Sequence, residues 1–215
     1  MTDNSPAGST APEAGPARRR DAAKTRQLLL DAARRRFADD GYAATTVRDI
    51  ADDAGVNVAL INRYFTSKEG LFEACLRYAG DELRRTTGDV PFDRIPEAIA
   101  HQIAGLSTGE LPGQLVLLLR TSGDARADQI RLAFLQESSE RLAAASGRPT
   151  DGPEGDQLLL RAQMVLATTI GISVMRASNL LQPLSSATEQ DLVAPLRDIV
   201  DALLSARPAD PTVGS

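Results

Sequence analysis

Between Lys24 and Ala206 the apolar residues recur at three- and four-residue spacing, and no stretch alternates apolar with polar side chains. That period belongs to helices, because residues three and four apart share a helix face whereas strand side chains alternate. Aromatic residues make up 4% of the chain and tryptophan is absent. The core must therefore be built from Leu, Ala, Val and Ile, which suits packed helices. An all-α protein is expected, and 215 residues allow a small domain followed by a medium one.

The helices are punctuated by local signals. Leu28, Leu29, Ala32, Ala33 and Phe37 mark a first helix from Lys24 to Asp40, ended by Gly41 as a left-handed C-cap. Thr46-Val-Arg-Asp49 has the pattern of a capping box and opens a short helix from Val47 to Ala54. Gly55 and Val56 break the chain, Asn57 is an N-cap, and a third short helix runs to Tyr64 or Phe65. Thr66-Ser-Lys-Glu69 reads as a second capping box before a longer helix to about Arg85. Two short helices joined by a glycine turn, with a helix on either side, form the layout of a helix-turn-helix.

Further helices are expected at about 96–106, 113–121, 124–145, 156–181 and 188–206, with 147–155 read as a mobile loop because of Pro149, Pro153 and their glycines. Pro195 is expected to kink or restart the last of them. The resulting division is a tail at 1–20, a helix-turn-helix domain at 21–70, a helical ligand-binding and dimerisation domain at 71–206, and a second tail at 207–215. Residues 1–16 are rich in Ser, Thr, Pro, Gly and Ala and are expected to be disordered. Arg18, Arg19 and Arg20 are either a solvated charge run or an arm that reaches a minor groove or a phosphate.

Charge sharpens this division. The net charge of -5 disfavours a nucleic-acid partner at first, but residues 17–70 hold 11 Lys+Arg against 8 Asp+Glu, and residues 71–215 hold 13 against 19. A basic head sits on an acidic body. The single cysteine, Cys75, cannot form an internal disulfide, and no Cys/His cluster has zinc spacing, so no metal or cofactor is expected. No run approaches the ~18 consecutive apolar residues of a membrane span, and a cytoplasmic location follows as the expectation. With one His and one Cys far apart, no nucleophile–base pair is visible, so an enzyme is not expected.

Phe37…Gly41-Tyr42, Ile50-Ala51…Ala54-Gly55-Val56 and Tyr64-Phe65-Thr-Ser-Lys68-Glu69 resemble the DNA-binding domain of the tetracycline-repressor (TetR) family, over about Lys24 to Arg77. The resemblance implies a homodimeric, all-helical repressor that releases its operator when a small molecule enters the C-terminal domain. Two positions depart from the pattern: Asn62 stands where members often carry Tyr, and Thr66 where they often carry Pro or Gly. An effector-independent helix-turn-helix protein, architectural or regulated by another protein, is the alternative reading.

In such a head the third helix enters the major groove of double-stranded DNA. Asn57, Val58, Ala59, Asn62 and Arg63 are the candidate reading surface: Val58 and Ala59 for thymine methyls, Asn62 for adenine, Arg63 for guanine or phosphate. Thr45, Thr46 and Arg48 open the second helix, where free amides favour a phosphate, although Thr46 is equally well a cap alone. By resemblance, Lys68 is a phosphate clamp, and Tyr64 could share the task. A dimer implies a pseudo-palindromic operator.

In the body, the expected helix at 156–181 is apolar on more than one stripe, so one side should pack internally and the other against a second subunit, unless it is the central helix of a monomer. Met164, Ile170, Gly171, Val174, Leu192, Leu196 and Ile199 are the candidate dimer interface. His101, Arg120, Gln136, Thr168 and Arg176 are polar groups amid apolar helices and the candidate ligand contacts, although a histidine in such a place is more often a satisfied residue at the edge of a core.

Overall fold

The computed structural model describes residues 16–87, 90–106, 113–120, 122–179 and 181–205. Within them the chain forms α1 (Pro16–Asp39), α2 (Val47–Asp53), α3 (Ala59–Phe65), α4 (Lys68–Thr87), α5 (Ile95–Ala104), α6 (Gly113–Leu119), α7 (Ala125–Ala145), α8 (Gly152–Ala177) and α9 (Glu189–Leu204), with short 3-10 turns at Phe92–Arg94 and Leu184–Ser186. No strand occurs among the described residues. The expected tails at 1–15 and 207–215, and the side chains of Arg18 and Arg19, lie outside them.

Local chemistry accounts for most boundaries. Gly41 ends α1 at φ 86°. Thr46 caps α2: its hydroxyl accepts from the Asp49 amide, while the Asp49 carboxylate accepts from the Thr46 amide at 3.0 Å. Asn57 Oδ1 accepts from the Ala59 amide at 2.8 Å, so its side chain caps the first turn of α3. Thr188 and Asp191 repeat the capping box at α9.

Four expectations are corrected. The first helix begins at Pro16, so residues 16–20 belong to α1 and not to a tail. The cap of α4 is Ser67, not Thr66: Ser67 Oγ accepts from the Gly70 amide at 3.2 Å. Helix α8 starts at Gly152 and runs through Pro153 and Gly155, because proline in a first turn forgoes an amide that has no helical partner there. It ends at Ala177 rather than Leu181. Of the two outcomes expected at Pro195, a kink or a restart, the restart does not occur, since α9 is continuous from Glu189 to Leu204.

The core is divided in a way that the expected boundary near residue 70 did not foresee. One cluster joins α1 to α4 and also takes in Leu117 of α6 and Ala127 of α7, with Ile130 and Phe134 packed against it. Phe37, Tyr42 and Phe72 form its aromatic centre, with centroids 5.5, 5.3 and 4.9 Å apart. Two aliphatic clusters lie between α5, α7, α8 and α9, around Leu158, Val165, Val200 and Leu204, and around Ala100, Ile103, Leu192 and Leu196. Thus α6 and the start of α7 are docked on the head, while α5, α8 and α9 pack together.

Helix α8 is long and apolar enough, by length and composition alone, to cross a membrane. In the chain it packs on α7, α9 and α5. Its outer side nevertheless stays open, with Leu160 58% and Met164 49% exposed.

Candidate nucleic-acid interface

Helix α3 is fixed from below. Ile61 and Phe65 are buried, Leu60 packs against the same cluster, and Val56 closes the turn, its amide donating to Ala51 O at 3.0 Å. Val58, Ala59, Asn62 and Arg63 consequently point outward and are exposed. The side chains of Asn62 and Arg63 make no hydrogen bond or ion pair with another described residue; the Arg63 guanidinium lies 5.9 Å from the Tyr64 ring centroid. Two free polar heads beside two small apolar side chains can read base edges: a guanidinium matches guanine, a carboxamide matches adenine.

The exit from α3 is tight. Ser67 N donates to Phe65 O at 2.8 Å across Thr66, which has φ 70° and ψ -40°. This is a γ-turn, a strained conformation for a β-branched residue. Glycine adopts such a positive φ without this strain. Gly70 completes the corner, since a Cβ there would sit 2.1 Å from Phe65 O. Gly70 was not singled out from the sequence. A glycine in the first turn of a helix was the available signal, because Ala is the better helix former.

Helix α2 is held by a strut that the sequence did not reveal. Arg36 of α1 donates to both carboxylate oxygens of Asp53, from Nη2 at 2.8 Å, and its Nη1 reaches Asp40 at 3.1 Å. These bonds raise the arginine further above its ordinary range and lower the Asp53 carboxyl.

The residues proposed for phosphate differ in what they can offer. Thr45 is corrected: it is 2% exposed, and its hydroxyl lies 2.8 Å from Gly41 O, so it ties the end of α1 and cannot reach DNA. Thr46 is exposed, but its hydroxyl and amide are both engaged by Asp49, whose carboxyl those bonds hold below the ordinary range. Arg48 is exposed on the same turn. Lys68 is half-buried, its ammonium 4.2 Å from the Tyr42 ring centroid, and burial lowers its pKa. The Tyr42 phenol is pushed up to about 12, first by burial and then by Glu69 and Asp124. Tyr64 is half-buried against the head core.

The five candidate ligand contacts do not converge. His101 lines a cavity of about 370 Å³ with Val90, Pro91, Arg94, Glu97 and Glu189, and its Nδ1 lies 3.0 Å from Glu189 Oε2. Arg120 instead donates to the carbonyls that end α1. Gln136 donates to Glu140 at 2.7 Å, and Thr168 turns back onto Met164 O of its own helix at 2.8 Å. Arg176 is buried and donates to Leu184 O and Ala187 O at 2.6 and 2.9 Å, holding the α8–α9 connection. Each of these four has a partner within the chain, and none of them lines the cleft with His101. Their polarity among apolar residues reflected backbone carbonyls and neighbouring side chains in need of a donor.

The candidate dimer residues also separate. Met164 and Gly171 are exposed, and a Cβ on Gly171 would meet nothing within 4 Å. Ile170, Val174 and Ile199 are half-buried. Leu192 and Leu196 are corrected: both are buried in the cluster with Ala100 and Ile103 of α5. Leu160 and Leu132, 58% and 62% exposed, are additional outward apolar groups. No group of three His, Cys, Asp or Glu side chains among the described residues could hold a metal ion.

A helix-turn-helix with this outward face, carried by a helical body, defines a helical transcriptional regulator. The family model of bacterial regulatory proteins of the tetR family matches residues 29–75, and that of the tetracyclin repressor-like C-terminal domain matches residues 93–204. The chain belongs to the TetR family. It is similar to the transcriptional repressor KstR2 of Rhodococcus jostii, 34% identical over 120 residues that cover 55% of this chain and 52%, about half, of that one. With the transcriptional regulator BetI of Rhizobium meliloti it shares 46% identity over 172 residues, 69% of this chain and 85% of the other. The crystal structure of a TetR-family regulator from Streptomyces coelicolor superposes with a TM-score of 0.56 at 25% identity, covering 85% of this chain and 95% of that one.

Proposed function

We propose that the protein is a cytoplasmic, homodimeric repressor that reads a pseudo-palindromic operator through α3 and leaves it when a small molecule occupies the body. The observation that carries the DNA-reading part is the outward face of α3, where the exposed Asn62 and Arg63 side chains make no hydrogen bond or ion pair with another described residue. Bases are read by Val58, Ala59, Asn62 and Arg63, and phosphates are met by Arg48, by Tyr64 and by Lys68 once it leaves Tyr42.

The dimer reading is supported by α8. Leu160, Met164, Ala167, Gly171 and Met175 follow one another at three- and four-residue spacing and are all exposed, and a continuous apolar stripe of this kind is what a helix offers a second copy. Small residues at 167 and 171 allow close approach. Effector release is supported by membership of the family, and the body offers open clefts where a small molecule could begin to enter, one of them lined by His101.

Selection of genomic fragments by the purified protein tests the first part: inverted repeats should be enriched, and enrichment equal to that of an Arg63→Ala protein would refute base reading. The release step is tested by finding a ligand through thermal shift and titrating it against free and operator-bound protein. Linkage requires operator DNA to weaken the ligand as much as the ligand weakens DNA, by about 5- to 150-fold for typical couplings. Equal ligand affinities would remove effector release and leave DNA binding in place.

A further inference from the structure

The last turn of a helix ends in carbonyls without helical partners, at the negative end of the peptide dipoles. In α1 two of these, Ala38 O and Asp39 O, accept hydrogen bonds from Nη1 of Arg120 at 3.0 and 3.2 Å. Arg120 directly follows α6, in the body. Its guanidinium also lies against the backbone at Gly41, where a Cβ would be 3.6 Å from Cζ.

The corner that carries Arg120 is braced. Arg131 of α7 donates to the Arg120 carbonyl, and its Nη2 donates to Asp128 at 2.8 Å. The same Asp128 oxygen accepts from the Ser122 hydroxyl at 2.7 Å and from the Ser122 amide at 3.2 Å. Those bonds hold the Asp128 carboxyl below the ordinary range, so the brace is charged. Leu117, one turn earlier on α6, is buried in the head core, and a Cβ placed on Gly113 would lie 3.4 Å from the Ala38 side chain.

From Gly41 the connection continues into the head. Thr45 ties its hydroxyl and its amide to Gly41 O, at 2.8 and 3.3 Å, and Thr46 then opens α2. A displacement of Arg120 therefore reaches the start of α2 through two successive contacts. None of these contacts uses an exposed residue of α3.

We propose that Arg120 is a positioning residue for DNA binding: through the terminal carbonyls of α1 it sets the seating of the head on the body, and it does not itself touch DNA. The inference rests on the DNA-binding reading above. Movement of α6 or of the α7 corner then alters the relative placement of the two heads of a dimer, because the Arg120 backbone is held by the body and the targets of its guanidinium belong to the head. Cationic chemistry suits this role, since a charged donor to terminal carbonyls is stronger than a neutral one.

Full-length R120A and R120K proteins test it, with operator affinity measured across a salt series and amide hydrogen exchange measured at Thr45. R120A should bind a selected operator about fivefold or more weakly, with an unchanged slope of log affinity on log salt, and should exchange faster at Thr45. R120K, which keeps a cation near the same carbonyls, should recover most of both. Unchanged R120A affinity would overturn the proposal. So would a slope smaller by about one, the mark of a lost phosphate contact, or an R120K protein no better than R120A. If the wild type binds no duplex, the DNA-binding reading fails, whereas the Thr45 exchange still reports whether Arg120 holds the end of α1.

Discussion

The head and the α5–α8–α9 half of the body use the same backbone element and hold it by different means. The head core is centred on three touching aromatic rings and is tied by specific polar links, Arg36 to Asp53 and Thr45 to Gly41. The other half packs mainly aliphatic side chains, has polar links of its own at Arg176 and Arg197, and differs in leaving an apolar stripe of α8 uncovered. A motif held by caps and ion pairs fixes an outward face with defined chemistry. A face of Leu, Met, Ala and Gly fixes an association instead, and what it binds is a matter of shape and area.

The largest expected effects come from the two cores. Phe72→Ala removes the ring that both Phe37 and Tyr42 touch and should cost about 3–5 kcal/mol by urea denaturation. It should also expose Cys75, whose thiol burial pushes up to about 12, so that thiol labelling, absent in the native protein at pH 8, becomes measurable. Leu196→Arg should be at least as damaging, because it buries an unpaired charge beside α5. If it instead gave a folded monomer, Leu196 would face a partner and the division between the halves would be wrongly drawn.

Next comes Met164→Arg, on the open stripe. The protomer should keep its stability within about 0.5 kcal/mol. Light scattering should show the dimer giving way to the 22.9 kDa chain. A dimer of undiminished affinity would move the interface elsewhere. Smaller still is Thr66→Gly, which relieves a left-handed threonine and should raise stability by about 1 kcal/mol; a loss on thermal melting would show that the side chain has a role that its φ does not reveal.

The smallest effect is common to both halves. Asp49 and Asp191 occupy matching capping boxes, and hydrogen bonds from Thr46 and Thr188 hold both carboxyls below their ordinary range. A lowered folded pKa means stability that is present above the unfolded value of about 3.9 and is lost as pH falls through the folded one. Asp49→Asn and Asp191→Asn should each flatten the acid limb of the stability profile. An unaltered limb would place acid sensitivity in other carboxylates.

Much of this was legible in the sequence, and the reason is range. Gly41, Thr46 with Asp49, and Asn57 act on amides and carbonyls within a few residues, so their pattern is local and the helix-turn-helix could be read directly. The misses were of two kinds. Thr66 and Ser67 are both competent caps, and the γ-turn that chose Ser67 depends on the close approach of Phe65 and Gly70. Pro153 and Gly155 read as breakers, although a proline in the first turn costs a helix nothing. Four of the body candidates have partners that are distant or unforeseen: Arg120 with α1, Leu192 and Leu196 with α5, Arg176 with the turn before α9. Periodicity says which residues share a face, and not what that face meets.

Base reading by the open face of α3 is the central claim. Fluorescence anisotropy on the selected operator and on single-base variants of it, for wild type, Asn62→Ala, Arg63→Ala and Lys68→Ala, measures that claim. Asn62→Ala and Arg63→Ala should each lose about 1–3 kcal/mol on the intact operator and become indifferent to the base that they contact, while Lys68→Ala weakens every duplex alike and reduces the salt slope. If instead the Asn62 and Arg63 variants lose the same affinity on every duplex, they contact the backbone, and the base-reading role of α3 is contradicted.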